Sequence, residues 1–340
     1  MKNKGATPAK TIIFTLAFPL AAWIVMELLV YLTQGRHVIS TLLDIKTLVR
    51  NSGVAAITAF ALSFNLTSGR MDLSLGAQRL AGCIIGGALA IELGLSGVFI
   101  LLFSLAFGLV FGFLTGLMFI TMRVPAMVLG IGMGLIWEVF PYQYTKGKGL
   151  NLFGVEGVAI LSDTAFIIIL TIVVGAFVTV LMNSTRFGYQ LRAIQGSQLI
   201  SQNSGINIFR HTILCYTFAG GLVCIAGIMD TAFNTQLAAS LGLASNGPVT
   251  SNMFPMILGG YIGRKSNQAV GTIVAAIAIN IIRYGLVQLN LSEANASVVN
   301  MVLFVGFLIF LANEHVLKKR QAERERIAAA HAKMQTAEAA

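Results

Sequence analysis

Apolar and polar stretches alternate along the chain, and ten of the stretches are apolar: about 11–33, 52–67, 76–92, 95–121, 124–141, 161–183, 212–233, 248–262, 267–289 and 297–313. A bilayer's hydrocarbon is about 30 Å thick, so an apolar run of about twenty residues predicts a membrane-crossing helix. The pattern predicts an all-α membrane protein with about ten transmembrane helices. Residues 1–313 form the membrane domain, and 314–340, rich in Ala, Glu, Lys and Arg, form a cytoplasmic helical tail.

Three stretches, 52–67, 124–141 and 248–262, are short, and each contains or borders Gly or Pro: Gly69; Pro125, Gly130, Gly132 and Gly134; Pro255, Gly259, Gly260 and Gly263. One reading makes them helices broken inside the bundle, whose freed backbone groups line a polar path. The other makes them tilted helices with displaced ends. Gly108, Gly112 and Gly116 share one helix face, a spacing that lets a neighbouring backbone come close. The 142–162 stretch, with Lys146, Lys148, Glu156 and several glycines, reads as a mobile external loop.

Charge orients the bundle. With the N-terminus inside and sides alternating, seventeen Lys and Arg fall inside, among them Arg70, Arg79, Arg123, Arg186, Arg192 and Arg210. Only Arg36, Lys46, Arg50, Lys146 and Lys148 fall outside, the bias expected of cytoplasmic loops. Both termini are therefore expected in the cytoplasm. Lys2, Lys4 and Lys10 precede a first run too long for a signal peptide and without a cleavage site, so it reads as an uncleaved span.

Composition fits only a lipid-embedded chain: 56% hydrophobic, 11% charged, mean hydropathy +0.81. A soluble protein needs about a quarter charged residues to cover its surface. The net charge of +10 sits in loops and the tail, with no basic face interleaved with aromatics, which argues against nucleic acid. Cys83, Cys215 and Cys224 lie in or beside apolar runs and read as small buried hydrophobes.

Ser184–Thr212 is the most informative polar stretch. It carries Arg186, Arg192 and Arg210 and no carboxylate, at roughly helix length, between two long spans. It is read as a cytoplasmic docking loop for a soluble partner, the alternative being an ordinary linker. Ionisable groups at membrane depth are costly and mark function. Those noted are Glu27, without an evident partner, Asp230, and Arg283 with Asn280 on the same helix face. Asn280 and Arg283 could bond a hydroxylated solute, or Arg283 could snorkel to headgroups. Leu258–Ser266 misses the spacing and context of a phosphate-binding loop, so no ATPase is expected in this chain. No metal-ligand spacing or catalytic triad is suggested, and four Asn-x-Ser/Thr triplets read as chance.

Several stretches together resemble the membrane permease subunits of ribose-type sugar ABC importers, in the branched-chain amino acid/ribose permease superfamily. Ser68–Gly76 resembles that family's GGIDLSVG signature through Asp72, Leu73, Ser74 and Gly76, with Arg70 where Gly is usual. The polar stretch is similar to its cytoplasmic segment through Thr185, Phe187, Gly188, Ala193, Ile194, Gly196, Ser204, Gly205, Ile206 and Asn207, Gln195 and Ser197 departing. Arg123 with Pro125, and Gly259, Gly260, Gly271 and Thr272, echo further motifs, so the likeness runs over about 50–313.

The resemblance implies a permease of the bacterial cytoplasmic (inner) membrane for a small sugar-like or other polar solute, with nucleosides as an alternative. It implies three partners: a separate ABC ATP-binding subunit, an extracytoplasmic solute-binding protein, and a second permease copy or sister permease. No cofactor is bound directly, ATP being used by the partner. A coupling helix is expected near Ile194–Asn203, with Phe187, Gly188, Arg192, Ala193, Ile194, Gly196, Ser204, Gly205 and Ile206 in the coupling loop and Gly188, Gly196 and Gly205 as hinges. Asp72, Ser74, Asn280 and Arg283 are the candidates for the translocation path. The competing classes are an ion-driven secondary carrier, which wants paired intramembrane carboxylates, and a non-transporting scaffold or enzyme.

Overall fold

Each of the ten apolar stretches falls on helix in the computed structural model, which describes residues 8–292, 295 and 297–314, with side chains from residue 12. In chain order the helices are α1 (Pro8–Gln34), α2 (Leu42–Thr67), α3 (Leu75–Glu92), α4 (Val98–Met122), α5 (Ala126–Tyr144), α6 (Val158–Ser162), α7 (Thr164–Ser184), α8 (Arg186–Gly196), α9 (Gln198–Asn203), α10 (Ile208–Asn234), α11 (Asn246–Thr250), α12 (Met253–Gly263) and α13 (Gln268–Gln288). α14 covers Ser297–Glu314. Seven of these, α1, α2, α4, α7, α10, α13 and α14, are long and apolar enough to cross a bilayer. The protein is an all-α membrane protein. By internal packing the chain divides into residues 1–285, which hold α1 to α12 and most of α13, and residues 286–340. The expected tail beyond Glu314 lies outside the described residues.

The short stretches resolve differently from one another. The one at 52–67 belongs to a 26-residue helix, about 39 Å at about 1.5 Å per residue. Its first turns carry Asp44, Lys46 and Arg50 and so look like loop in sequence. A capping box starts it: the Thr41 hydroxyl accepts from Asp44 N at 3.3 Å and the Asp44 carboxylate from Thr41 N at 2.7 Å. α5 runs unbroken for 19 residues. Its glycines serve close packing, since a Cβ at Gly130 would meet the Leu73 backbone and one at Gly134 the Leu243 side chain. The stretch at 248–262 is the broken one, split into α11 and α12 around Ser251 and Asn252.

α10 lies at the middle of the first unit, buried along most of its length against α2, α3 and α4. The face of Gly108, Gly112 and Gly116 seats α4 on it. Added Cβ atoms there would run into the Gly220 carbonyl, the Tyr216 carbonyl and Ile213 Cα. The 142–162 stretch is pinned rather than mobile. β1 (Leu150–Asn151) pairs antiparallel with β2 (Gln236–Leu237), Leu150 opposite Leu237. Leu150 and Leu152 are buried, and Leu152 N donates to Thr235 O at 2.8 Å.

Two more assignments change. Glu27 does have a partner: His37 Nδ1 lies 2.5 Å from its carboxylate, and Val38 N donates to it at 3.0 Å. Arg79 leaves the inside group of charges, because it ion-pairs with Asp230, four residues from the end of α10 and opposite to Arg210 at its start. Without Arg79, sixteen of the Lys and Arg expected inside stand against the five expected outside.

Candidate functional site

The polar stretch 184–212 folds into two short helices. α8 buries Phe187, Leu191 and Ile194, spaced by four and three residues along one face, and turns Tyr189 outward. The expected 194–203 helix is interrupted at Ser197. There the backbone is extended, and the Ser197 hydroxyl accepts from Ile200 N at 3.4 Å to cap α9. Two residues past the end of α9, Gly205 has a φ of +83°, which favours glycine. Asn207 then caps α10 by accepting from Arg210 N at 3.0 Å.

α8 is fastened to the bundle. Arg192 Nη1 donates to Met182 O at 2.7 Å, carrying the guanidinium onto the last carbonyls of α7. Gly188 lies so close to the Met182 backbone that no Cβ fits, so it serves close contact and not hinging. Gly196 and Gly205 have open space around them. The Phe187 ring stacks on His211 of α10 with centroids 4.5 Å apart, and His211 Nε2–H donates to Phe187 O at 3.1 Å. Ala193 is exposed, whereas Ile206 is half-buried beside exposed Ser204.

α9 stands out from this base. Ser201 is buried, while Leu199 and Ile200 are 69% and 67% exposed beyond the ends of α7 and α10. Gln198 Nε2 donates to Ser68 O at 3.3 Å. That bond ties α9 to the Ser68–Ser74 turn between α2 and α3.

Within this turn Asp72 is fully engaged. Its Oδ1 accepts from Ser74 N at 2.8 Å and Ser74 Oγ at 2.6 Å. Its Oδ2 accepts from Asn65 Nδ2 at 3.2 Å and Gln78 Nε2 at 3.4 Å. A buried carboxylate with this many donors fixes a non-helical turn within an apolar bundle. The other two path candidates lie elsewhere. Asn280 Nδ2 donates to Ala276 O of its own helix at 2.8 Å. Arg283 donates to Ser251 O at 2.5 Å and Asn252 Oδ1 at 3.3 Å. It bridges to the break between α11 and α12. No hydrogen bond among the described residues joins the Asp72–Ser74 pair to Asn280 or Arg283.

The sequence reading passed over three features. Glu138 of α5 is completely buried and accepts from Leu243 N at 2.8 Å, Ser245 N at 3.1 Å and Ser245 Oγ at 2.6 Å. As the lone carboxylate of an apolar run it was visible, but its partners lie 105 and 107 residues on. Arg79 sits inside a run and could have been paired with Asp230 by elimination. Leu199 and Ile200 are a short apolar pair in a polar segment, and nothing local distinguishes them from a buried pair.

A family model described as the branched-chain amino acid transport system / permease component matches residues 44–310. The ribose import permease protein RbsC of Escherichia coli (strain K12) is 24% identical over 275 residues, 78% of this chain and 84% of that protein. The Bacillus subtilis (strain 168) protein of the same name is 26% identical over 279 residues, with the same two shares. Among solved structures, an ABC transporter described as metal-chelate type, in an inward-facing conformation, aligns with a TM-score of 0.52. It is 12% identical and covers 91% of this chain and 100% of that one; at that identity the likeness concerns the fold alone.

Proposed function

The chain belongs to the branched-chain amino acid transport system / permease component family, and on that premise we propose that it is the membrane-spanning subunit of an importer for a small sugar-like solute. Two relatives named as ribose import permeases, matched over most of their length, support the solute class. ATP hydrolysis belongs to a separate ATP-binding cassette subunit, and solute arrives on an extracytoplasmic binding protein. A second permease copy, or a sister permease, completes the pore. The chain lies in the bacterial cytoplasmic (inner) membrane with both termini inside, an orientation that the bias in Lys and Arg supports.

One observation carries this reading: α9 exposes Leu199 and Ile200 on a helix braced from behind by α8. Two exposed aliphatic side chains on a rigid stub are what a groove in a soluble partner can grip. Pull on α9 passes through Gln198 to the Ser68 carbonyl and the Asp72 turn. The α8 contacts with Met182 and His211 fasten the helix that precedes the stub. The same displacement therefore reaches the interior of the bundle. A secondary carrier fits less well, since Asp72 and Glu138 are saturated with hydrogen bonds and Asp230 is ion-paired.

The test is reconstitution in proteoliposomes with the ATPase and binding protein. ATP-dependent solute uptake is expected. Leu199→Asp with Ile200→Asp should reduce it by about tenfold or more while the chain still inserts. Uptake of equal rate without the ATPase would reject the reading.

A further inference from the structure

Between α10 and α12 the chain turns back into the bundle. β2, paired with β1, lies just past the end of α5, where a Cβ at Gly149 would strike the Leu237 carbonyl. A few residues later the chain is deep inside. The Leu243 side chain lies against Gly134, ten residues before Tyr144, the last residue of α5. Leu243 N and Ser245 N both donate to Glu138. Ten helical residues measure about 15 Å, half of a hydrocarbon core about 30 Å thick. Residues 238–245 make this descent without helix. α11 follows, the backbone parts again at Ser251 and Asn252, and α12 leads on.

This segment is open on one side. Ala244, Gly247, Pro248 and Ser251 are exposed, and Asn246 and Thr250 are half-buried. The backbone N–H groups of Gly242 and Ala244 and the Asn246 side-chain amide have no hydrogen-bond partner among the described residues. Lipid could not satisfy them, and irregular backbone at membrane depth persists only inside protein or against water. The open side is also neutral. From Gln236 to Gly263 the chain has no Asp, Glu, Lys, Arg or His. Arg283, which reaches the segment, is spent on Ser251 O and Asn252 Oδ1.

We propose that residues 244–251 line the aqueous path of the solute, with the second permease supplying the opposite wall. Asn246 offers an amide that both donates and accepts. The Thr250 and Ser251 hydroxyls donate to the carbonyls of Asn246 and Pro248 and keep lone pairs for a solute hydroxyl. Such a wall suits an uncharged polyhydroxy solute and holds no ion to pair with a charged one.

The inference rests on the permease reading. Single thiols are introduced as Ala244→Cys, Ser251→Cys and, for control, Val173→Cys, with Cys83, Cys215 and Cys224 replaced by Ala. Val173 is the tenth of the 21 residues of α7 and 56% exposed, so it stands at similar depth against lipid. Vesicles of both orientations holding the complete importer are treated with a membrane-impermeant methanethiosulfonate. The reacting thiolate forms in water and not in hydrocarbon, so Ala244→Cys and Ser251→Cys should react about tenfold or more faster than Val173→Cys. Trapping the ATPase with ATP and vanadate should change those two rates by about threefold or more, because a path opens and closes with the transport cycle. If Ser251→Cys does not fold, Ala244→Cys decides. Rates no faster than that of the control, from either face, would overturn the proposal. So would fast labelling that the trapped ATPase leaves unchanged, the mark of a wet crevice. ATP-driven uptake beside slow thiols refutes this inference and spares the permease reading.

Discussion

At the scale of single residues, buried polar groups are held by partners distant in sequence. Glu138 is the clearest case, with three donors from the 243–245 segment converging on one carboxylate. Glu138→Leu should leave those donors unpaired at a cost of about 1–3 kcal/mol each when buried. Glu138→Gln, which keeps one acceptor, should cost less. Thermal unfolding in detergent checks the order, and equal melting temperatures would deny the bridge. Ile194 shows what sequence cannot supply. It matches the resembling family's loop and was expected at the docking surface, yet it is buried in the inner face of α8. The exposed aliphatics are Leu199 and Ile200, and the difference arises at Ser197, where the extended backbone ends α8 and starts α9 anew.

At the scale of elements, helix existence was legible from apolar runs and helix ends were not. α2 begins at Leu42 because a Thr41–Asp44 capping box outweighs the charges of its first turns. The break between α11 and α12 was foreseen as one of three candidates, and only there does the backbone part. It is held by Arg283 from α13, which donates to Ser251 O and Asn252 Oδ1. Arg283→Ala should free that junction and speed amide hydrogen exchange at residues 251–253 relative to α10. Exchange unchanged there would show that the arginine does not hold the break. The glycine face of α4 was legible because small-residue spacing has a geometric meaning of its own. The pairing of β1 with β2 was not, since four residues from two distant loops leave no periodic trace.

At the scale of the molecule, the bias in Lys and Arg keeps its direction when Arg79 is assigned to its Asp230 pair. The first unit has two ends. One carries Ser68 with Gln198, Met182 with Arg192, and His211 with Phe187. The other carries Glu27 with His37, Asp44 with Tyr284, and Arg50 over Phe233. The central claim is that α9, at the first end, meets an ATP-hydrolysing partner in the cytoplasm. The most direct measurement places one thiol there, Leu199→Cys with Cys83, Cys215 and Cys224 replaced by Ala, and labels it with a membrane-impermeant maleimide. Labelling is expected in inside-out vesicles stripped of the ATPase, protection once the ATPase is restored, and none in right-side-out vesicles. Labelling from the outer face, or labelling from the inner face that the ATPase leaves untouched, would contradict it.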